Sequence, residues 1–213
     1  MTELDSDLLS IQEARTLATQ ARDAQRKFLH ASQAEVDRVC AAMAQAAVDN
    51  AQSLARMANE ETGYGVPEHK VLKNLLSSQI MWNTIKDVPR VGVIRNDPQK
   101  GTYDIAWPMG VVAALTPSTN PTSTAMFKTL ISVKARNAIV VAPHPSAAKC
   151  SAETIRIMAE AGERAGMPKG LVSCMTRITL PGTQELMKHK YVALILATGG
   201  SDMVRAAHSV GKP

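Results

Sequence analysis

The sequence predicts an α/β protein, with an N-terminal helical layer followed by an incomplete doubly wound parallel sheet. Three observations carry this reading. Apolar residues over the first ninety positions recur at helical spacing behind capping signals. From Val111 onward, short apolar runs rich in β-branched residues alternate with helical segments. The connections between those runs are long enough for parallel pairing, which needs a crossover of a dozen residues or more.

The elements follow in order. Leu8, Ile11, Ala14, Leu17, Ala18 and Ala21 fall on one face of a first helix. Ser32-Gln-Ala-Glu35 is a capping box that opens an Ala-rich helix running through Asp49. Gly63-Tyr-Gly65 and Pro67 punctuate the layer; a further helix reaches about Lys86, and Pro89 ends it. Two short β segments, 91–94 and 102–107, bracket the turn-forming run Asn96–Gly101. Strands are expected at 111–115, 138–142, 171–175 and 193–196, the first of them covered on both faces. Helices are expected at 121–134, 147–165, 183–189 and 202–208, with Gly166 and Pro168 as a stop signal. The chain thus divides into a helical part (1–90), a hairpin-like connection (91–110) and a Rossmann-like nucleotide-binding core (111–213). Gly211-Lys-Pro213 reads as a turn leading into another strand.

Composition narrows the function. The chain has 213 residues, 45% hydrophobic and only 3% aromatic, so its core must rest on Ala, Val, Ile, Leu and Met. The net charge of +5 is scattered, and no basic run alternates with aromatics. A solvated surface is favoured over nucleic-acid binding, and a phosphate-bearing cofactor also fits. The three cysteines are odd in number and far apart, which points to neither a disulfide framework nor zinc. Five histidines show no HxxxH or HExxH spacing, so no metal site is expected. The acidic start lacks the basic residues and apolar run of a signal peptide, and no run approaches a membrane span. A cytoplasmic protein without membrane attachment is the expectation.

Three loops at expected strand ends carry the candidate chemistry. After the first core strand, Thr116-Pro-Ser-Thr-Asn120 presents polar groups at the carboxyl edge of the sheet, where open α/β folds bind ligands. Pro117 stops the strand, and Pro121 suits the first turn of a helix. Asn120 can donate two amide hydrogens without carrying charge, as an oxyanion site requires. An N-cap is the alternative, because Asn before Pro at a helix start is a common cap. After the second strand comes Ala142-Pro-His-Pro-Ser146; His144 can reach a ribose or phosphate, or remain a surface imidazole. After the last strand comes Thr198-Gly-Gly-Ser201, a phosphate cradle or simply a loop. No GxGxxG fingerprint is present.

Cys150 lies near a helix start, where the dipole favours a thiolate. It is rejected as a nucleophile because it follows the second strand, on the cofactor side. Cys40 and Cys174 read as small buried hydrophobes. Lys128 and Lys134 read as solvated.

The run 116–128, Thr-Pro-Ser-Thr-Asn-Pro-Thr-Ser-Thr-Ala-Met-Phe-Lys, resembles the CoA-acylating branch of the aldehyde dehydrogenase superfamily. That branch includes acetaldehyde dehydrogenases, the dehydrogenase half of bifunctional aldehyde–alcohol dehydrogenases, and sulfoacetaldehyde dehydrogenases. Stretches 135–145, 185–189, 194–201 and 209–213 agree in order and spacing. The resemblance implies oxidation of a small aldehyde, acetaldehyde-like or sulfoacetaldehyde, to its acyl-CoA. NAD or NADP is the implied cofactor and coenzyme A the co-substrate. It gives Asn120 the oxyanion role and Thr198, Gly199, Gly200 and Ser201 the pyrophosphate. It places Thr116, Pro117, Ser118, Ala142, Pro143, His144 and Pro145 along the cofactor site. Ala142 stands where most of the superfamily has a ribose-binding lysine, a departure shared by the acylating branch. The family's nucleophilic cysteine belongs to a second domain beyond residue 213, so this chain is expected to be an N-terminal portion, inactive alone. A homo-oligomer is implied for the full-length enzyme. Two other readings remain open, an inactive nucleotide- or CoA-binding remnant and an interaction module.

Overall fold

The structure, a computed structural model, describes residues 5–213; Met1–Leu4 of the acidic start lie outside the described residues. Helix α1 (Ser6–Phe28) starts where the Asp5 side chain accepts the amide of Asp7. It buries Ala14, Ala18, Ala21, Ala24 and Phe28. Small residues at this spacing let the helix lie close to the sheet. Leu8, expected on the buried face, is instead 61% exposed. Ser10 takes the inward position, its hydroxyl donating to the carbonyl of Arg177 at 2.5 Å.

The capping box forms as read. Helix α2 (Gln33–Asp49) opens with Glu35 N–H donating to Ser32 Oγ and Ser32 N–H donating to the Glu35 carboxylate. Helix α3 (Ala51–Thr62) ends at Gly63, whose left-handed backbone closes the last turn. Helix α4 (Pro67–Leu75) runs through a π-turn (Leu76–Ile80) into α5 (Met81–Ile85). Strands β1 (Gly92–Asp97) and β2 (Thr102–Ala106) form an antiparallel hairpin with a bulge between Val93 and Arg95.

The core alternates as expected: β3 (Val111–Thr116), α6 (Pro121–Lys134), β4 (Ala138–Pro143), α7 (Ala148–Arg164), β5 (Val172–Cys174), α8 (Leu180–Lys188), β6 (Val192–Ala197) and α9 (Ser201–His208). The four strands are parallel in the order β5-β4-β3-β6. Every residue of β3 and β4 is buried, which explains their continuous apolar runs.

The strand order dictates the layering. β3, β4 and β5 step one way, so right-handed crossovers place α6 and α7 side by side on one face, where α2 covers both. The chain then returns across the sheet to β6, which puts α8 on the opposite face, against α1. Reversal of strand order between β3 and β6 opens a crevice at their carboxyl ends.

Helix α8 begins three residues before its expected start. Proline is tolerated in a first helical turn, here at Pro181, and Thr179 Oγ1 caps the helix by accepting the amide of Gly182. A Cβ on Gly182 would lie 1.9 Å from Ser10 Oγ, so the glycine is what lets α1 and α8 touch.

Gly211 turns the chain back along β6, where the Pro213 carbonyl accepts the amide of Ile195 at 2.8 Å. Among the described residues, no helix is long and apolar enough to cross a membrane, and no cluster of metal-ligating side chains occurs.

Candidate functional site: a cleft at the carboxyl edge of the sheet

Strands β3, β4 and β6 end side by side and release three loops around one cleft of about 670 Å³. From β3 it is lined by Thr116, Pro117, Ser118 and Asn120; from β4 by Ala142, Pro143, His144 and Pro145; after β6 by Thr198, Gly199 and Gly200. The loops are tied at their roots. His144 N–H donates to Thr116 O at 3.0 Å, and Thr198 N–H donates to Leu115 O at 3.1 Å. All the residues singled out from the sequence meet there except Ser201, which is the first residue of α9 and lies outside the lining.

The β3 loop has two unusual features. Thr116 is 4% exposed, and its Oγ1, closed to solvent, has no hydrogen-bond partner within the protein. A buried hydroxyl left alone carries a desolvation cost. Asn120 occupies the N-cap position of α6, but its side chain makes no capping bond. Its Oδ1 accepts instead from Lys73 Nζ at 2.9 Å.

The two glycines after β6 differ. A Cβ on Gly199 would press on Met203 at 3.3–3.4 Å, so packing explains this residue. Gly200 has an ordinary extended backbone, and a Cβ there would meet no protein atom within 4 Å. Neither conformation nor packing requires glycine at 200. A side chain there would enter open space, beside the amides at the start of α9.

His144 is exposed, and its Nδ1 accepts from Ser146 N–H at 3.2 Å with Ser146 Oγ at 2.8 Å. The neutral ring therefore carries its proton on Nε2.

Further lining residues were not foreseen, among them Ile178, Thr179, Leu180 and Thr183, from the loop after β5 and the start of α8. Ile178 and Leu180 are the apolar members, and Leu180 is 65% exposed. Nothing in their local pattern marks them. They reach the cleft only because the β5–β6 connection recrosses the sheet.

Two lysines correct the sequence reading. Lys128, expected in solvent, is 3% exposed; its ammonium donates to Leu115 O at 2.7 Å and Leu196 O at 2.6 Å, under the cleft floor. Burial without a carboxylate partner pushes its pKa down to about 8. Lys134 is also buried, paired with Asp37 of α2 and donating to Lys86 O at 2.8 Å.

The cysteines are thiols. Burial raises Cys40 to about 12. Burial, then the Glu61 carboxylate, raises Cys150 to about 12, so the helix-start effect expected there is overridden. Cys174 is raised as well, chiefly by burial.

A cleft at the point where the strand order of an open parallel sheet reverses is where doubly wound folds bind their ligands. The sequence profile of the aldehyde dehydrogenase family matches residues 7–212, and the chain belongs to that family. It is 42% identical over 204 residues to the bifunctional aldehyde–alcohol dehydrogenase of Escherichia coli K12, covering 96% of this chain and 23% of that protein. An acetylating aldehyde dehydrogenase from Geobacillus thermoglucosidasius superposes with a TM-score of 0.98 at 55% identity, over 99% of this chain and 47% of that one. A propionaldehyde dehydrogenase from Rhodopseudomonas palustris, solved with bound CoA, superposes at 0.84 with 30% identity, over 93% and 45%. These relatives place the chain in the CoA-acylating branch. The chain spans under half the length of each of them.

Proposed function

We propose that this chain forms the cofactor-binding half of an NAD(P)-dependent, CoA-acylating aldehyde dehydrogenase acting on a small aldehyde such as acetaldehyde or sulfoacetaldehyde. The observation that carries the reading is the convergence of the β3, β4 and β6 loops on one cleft, with open space at Gly200. A nicotinamide cofactor held here would supply the hydride acceptor for oxidation of the aldehyde. This chain's residues bind and orient. The 198–201 turn takes the diphosphate on backbone amides at the start of α9, helped by roughly 0.3–1 kcal/mol from the helix dipole. Ile178, Leu180 and Pro143 offer apolar walls for a flat adenine ring. CoA carries the same adenosine diphosphate unit, so one cleft serves both molecules in turn. Asn120 directs its amide hydrogens at the oxyanion of the aldehyde-derived intermediate.

The attacking thiolate comes from outside this chain. Cys40, Cys150 and Cys174 are all held as thiols by burial, so the chain alone binds without turning over. Self-association belongs to the same reading, supported by the exposed Tyr103, Ile105 and Trp107 in and beside the β1–β2 hairpin. So does a cytoplasmic location, which suits free cysteines.

Calorimetry of NAD⁺, NADP⁺ and CoA against the wild type and Gly200→Val tests the reading. Binding by the wild type, lost in a variant with an unchanged melting curve, is expected. Equal affinity in the variant moves the diphosphate elsewhere, and absence of binding by the wild type overturns the reading.

A further inference from the structure

The β3–α6 loop is braced from a distance by one face of α4. Lys70, Lys73 and Asn74 sit at i, i+3 and i+4, which brings them to the same side of the helix. Lys70 is 4% exposed and donates to Thr119 O at 2.8 Å. Lys73 donates to Asn120 Oδ1 at 2.9 Å. Asn74 is fully buried; its Oδ1 accepts from Thr122 Oγ1 at 2.8 Å, and its Nδ2 donates to Ala51 O at 2.9 Å. Three consecutive grips thus hold the loop on both sides of Asn120. The π-turn that follows at once keeps Asn74 in register, with Ser78 Oγ donating to Asn74 O at 2.7 Å.

The chemistry of the middle grip decides an orientation. An ammonium donates and never accepts, so the Asn120 atom facing Lys73 must be the carbonyl oxygen. The two amide hydrogens then point away from Lys73. Asn120 itself lines the cleft. Without the lysine, the amide could turn over and present its oxygen, which would repel a developing negative charge.

We propose that Lys73 is a positioning residue that fixes the Asn120 amide with its hydrogens toward the cleft, with Lys70 holding the Thr119 carbonyl on one side and Asn74 the Thr122 hydroxyl on the other. The inference rests on the oxyanion reading of Asn120 for its purpose, but the orientation is measurable without it.

The test is side-chain amide ¹⁵N NMR on the whole chain, free of cofactor. The Asn120 pair is identified by its loss in Asn120→Asp. In Lys73→Met the pair is expected to move by more than a line width and its ¹⁵N relaxation to report increased mobility. Lys73→Arg, which restores a donor, is expected to return both toward the wild type. Lys73 is exposed, so thermal melts of the two variants should match the wild type and exclude a general loosening. An Asn120 signal that is unchanged in Lys73→Met, or that Lys73→Arg fails to restore, overturns the proposal. NAD⁺ titration of the same samples reports separately on the cofactor reading, so its failure leaves the orientation result intact.

Discussion

The ammonium of Lys128 donates to the carbonyl of Leu196 at 2.6 Å, binding the end of β6 to the helix that follows β3. The same nitrogen holds Leu115 O at 2.7 Å, so one side chain ties the roots of two cleft loops. A neutral amine retains two hydrogens, enough for both carbonyls. Deprotonation therefore removes the cost of a buried charge without losing the bonds. The folded pKa of about 8 lies below the usual lysine value. The unfolded chain accordingly binds more protons between about pH 8 and 10.5, and Lys128's contribution to stability rises across that window, by on the order of 3 kcal/mol. The buried thiols act in the opposite sense above about pH 8.5, since only the unfolded state loses their protons. They cancel when wild type is compared with Lys128→Met. Urea melts at pH 7 and pH 10 should show the stability difference, wild type minus variant, growing with pH. A pH-independent difference would place the Lys128 charge in solvent.

The Thr116 hydroxyl has no protein partner, so its replacement should leave stability unharmed. Thr116→Val keeps the shape and removes a buried unsatisfied group, and its melting temperature should match or exceed the wild type. NAD⁺ affinity should be unchanged, because Oγ1 is closed to the cleft. A Kd weakened by about fivefold, the value of one hydrogen bond, would show that the hydroxyl opens to the ligand.

Gly182 is fixed by contact with α1. A Cβ there would come within 1.9 Å of Ser10 Oγ and 3.0 Å of the Ser10 backbone, so the helices must separate. Gly182→Ala should cost about 1–3 kcal/mol, a drop of roughly 2–4 °C per kcal/mol in a chain of this size. Ser10→Ala in the same chain relieves only the hydroxyl and should recover only part of the loss. A neutral Gly182→Ala would show that α1 and α8 are less closely seated.

The elements that the sequence specifies locally were legible. Ser32 and Glu35 define their own helix start, and β3 and β4 announce burial on both faces through unbroken apolar runs. Family motifs then led to the three cleft loops. What escaped depends on partners distant in sequence. Lys70 and Lys73 meet the β3 loop from 49 and 47 residues away, and no local pattern signals that. Lys128 and Lys134 looked solvated because lysine is rarely buried; each is tolerated here only because backbone oxygens or Asp37 await it. Ser10 outranks Leu8 for the same reason: close helix contact at Gly182 favours a small residue.

The cysteines make the last prediction. A nucleophile in this chemistry must be a thiolate that substrate can reach. Cys40 is fully buried on the inner face of α2, Cys150 is fully buried with its backbone amide held by Glu61, and the Cys174 thiol in the edge strand β5 is raised in pKa by burial. None of the three lines the cleft that holds Asn120. The native chain should therefore react slowly, if at all, with a thiol reagent at pH 8, and all three cysteines should react once it is unfolded. It should form no NADH from acetaldehyde, NAD⁺ and CoA. Adding a thiolate from elsewhere is the missing ingredient: the separately expressed carboxyl half of the Geobacillus relative, which supplies no second copy of this cleft, should restore NADH formation when mixed with this chain. Turnover by the chain alone, abolished by Cys150→Ser, would reverse the assignment and place the nucleophile on α7.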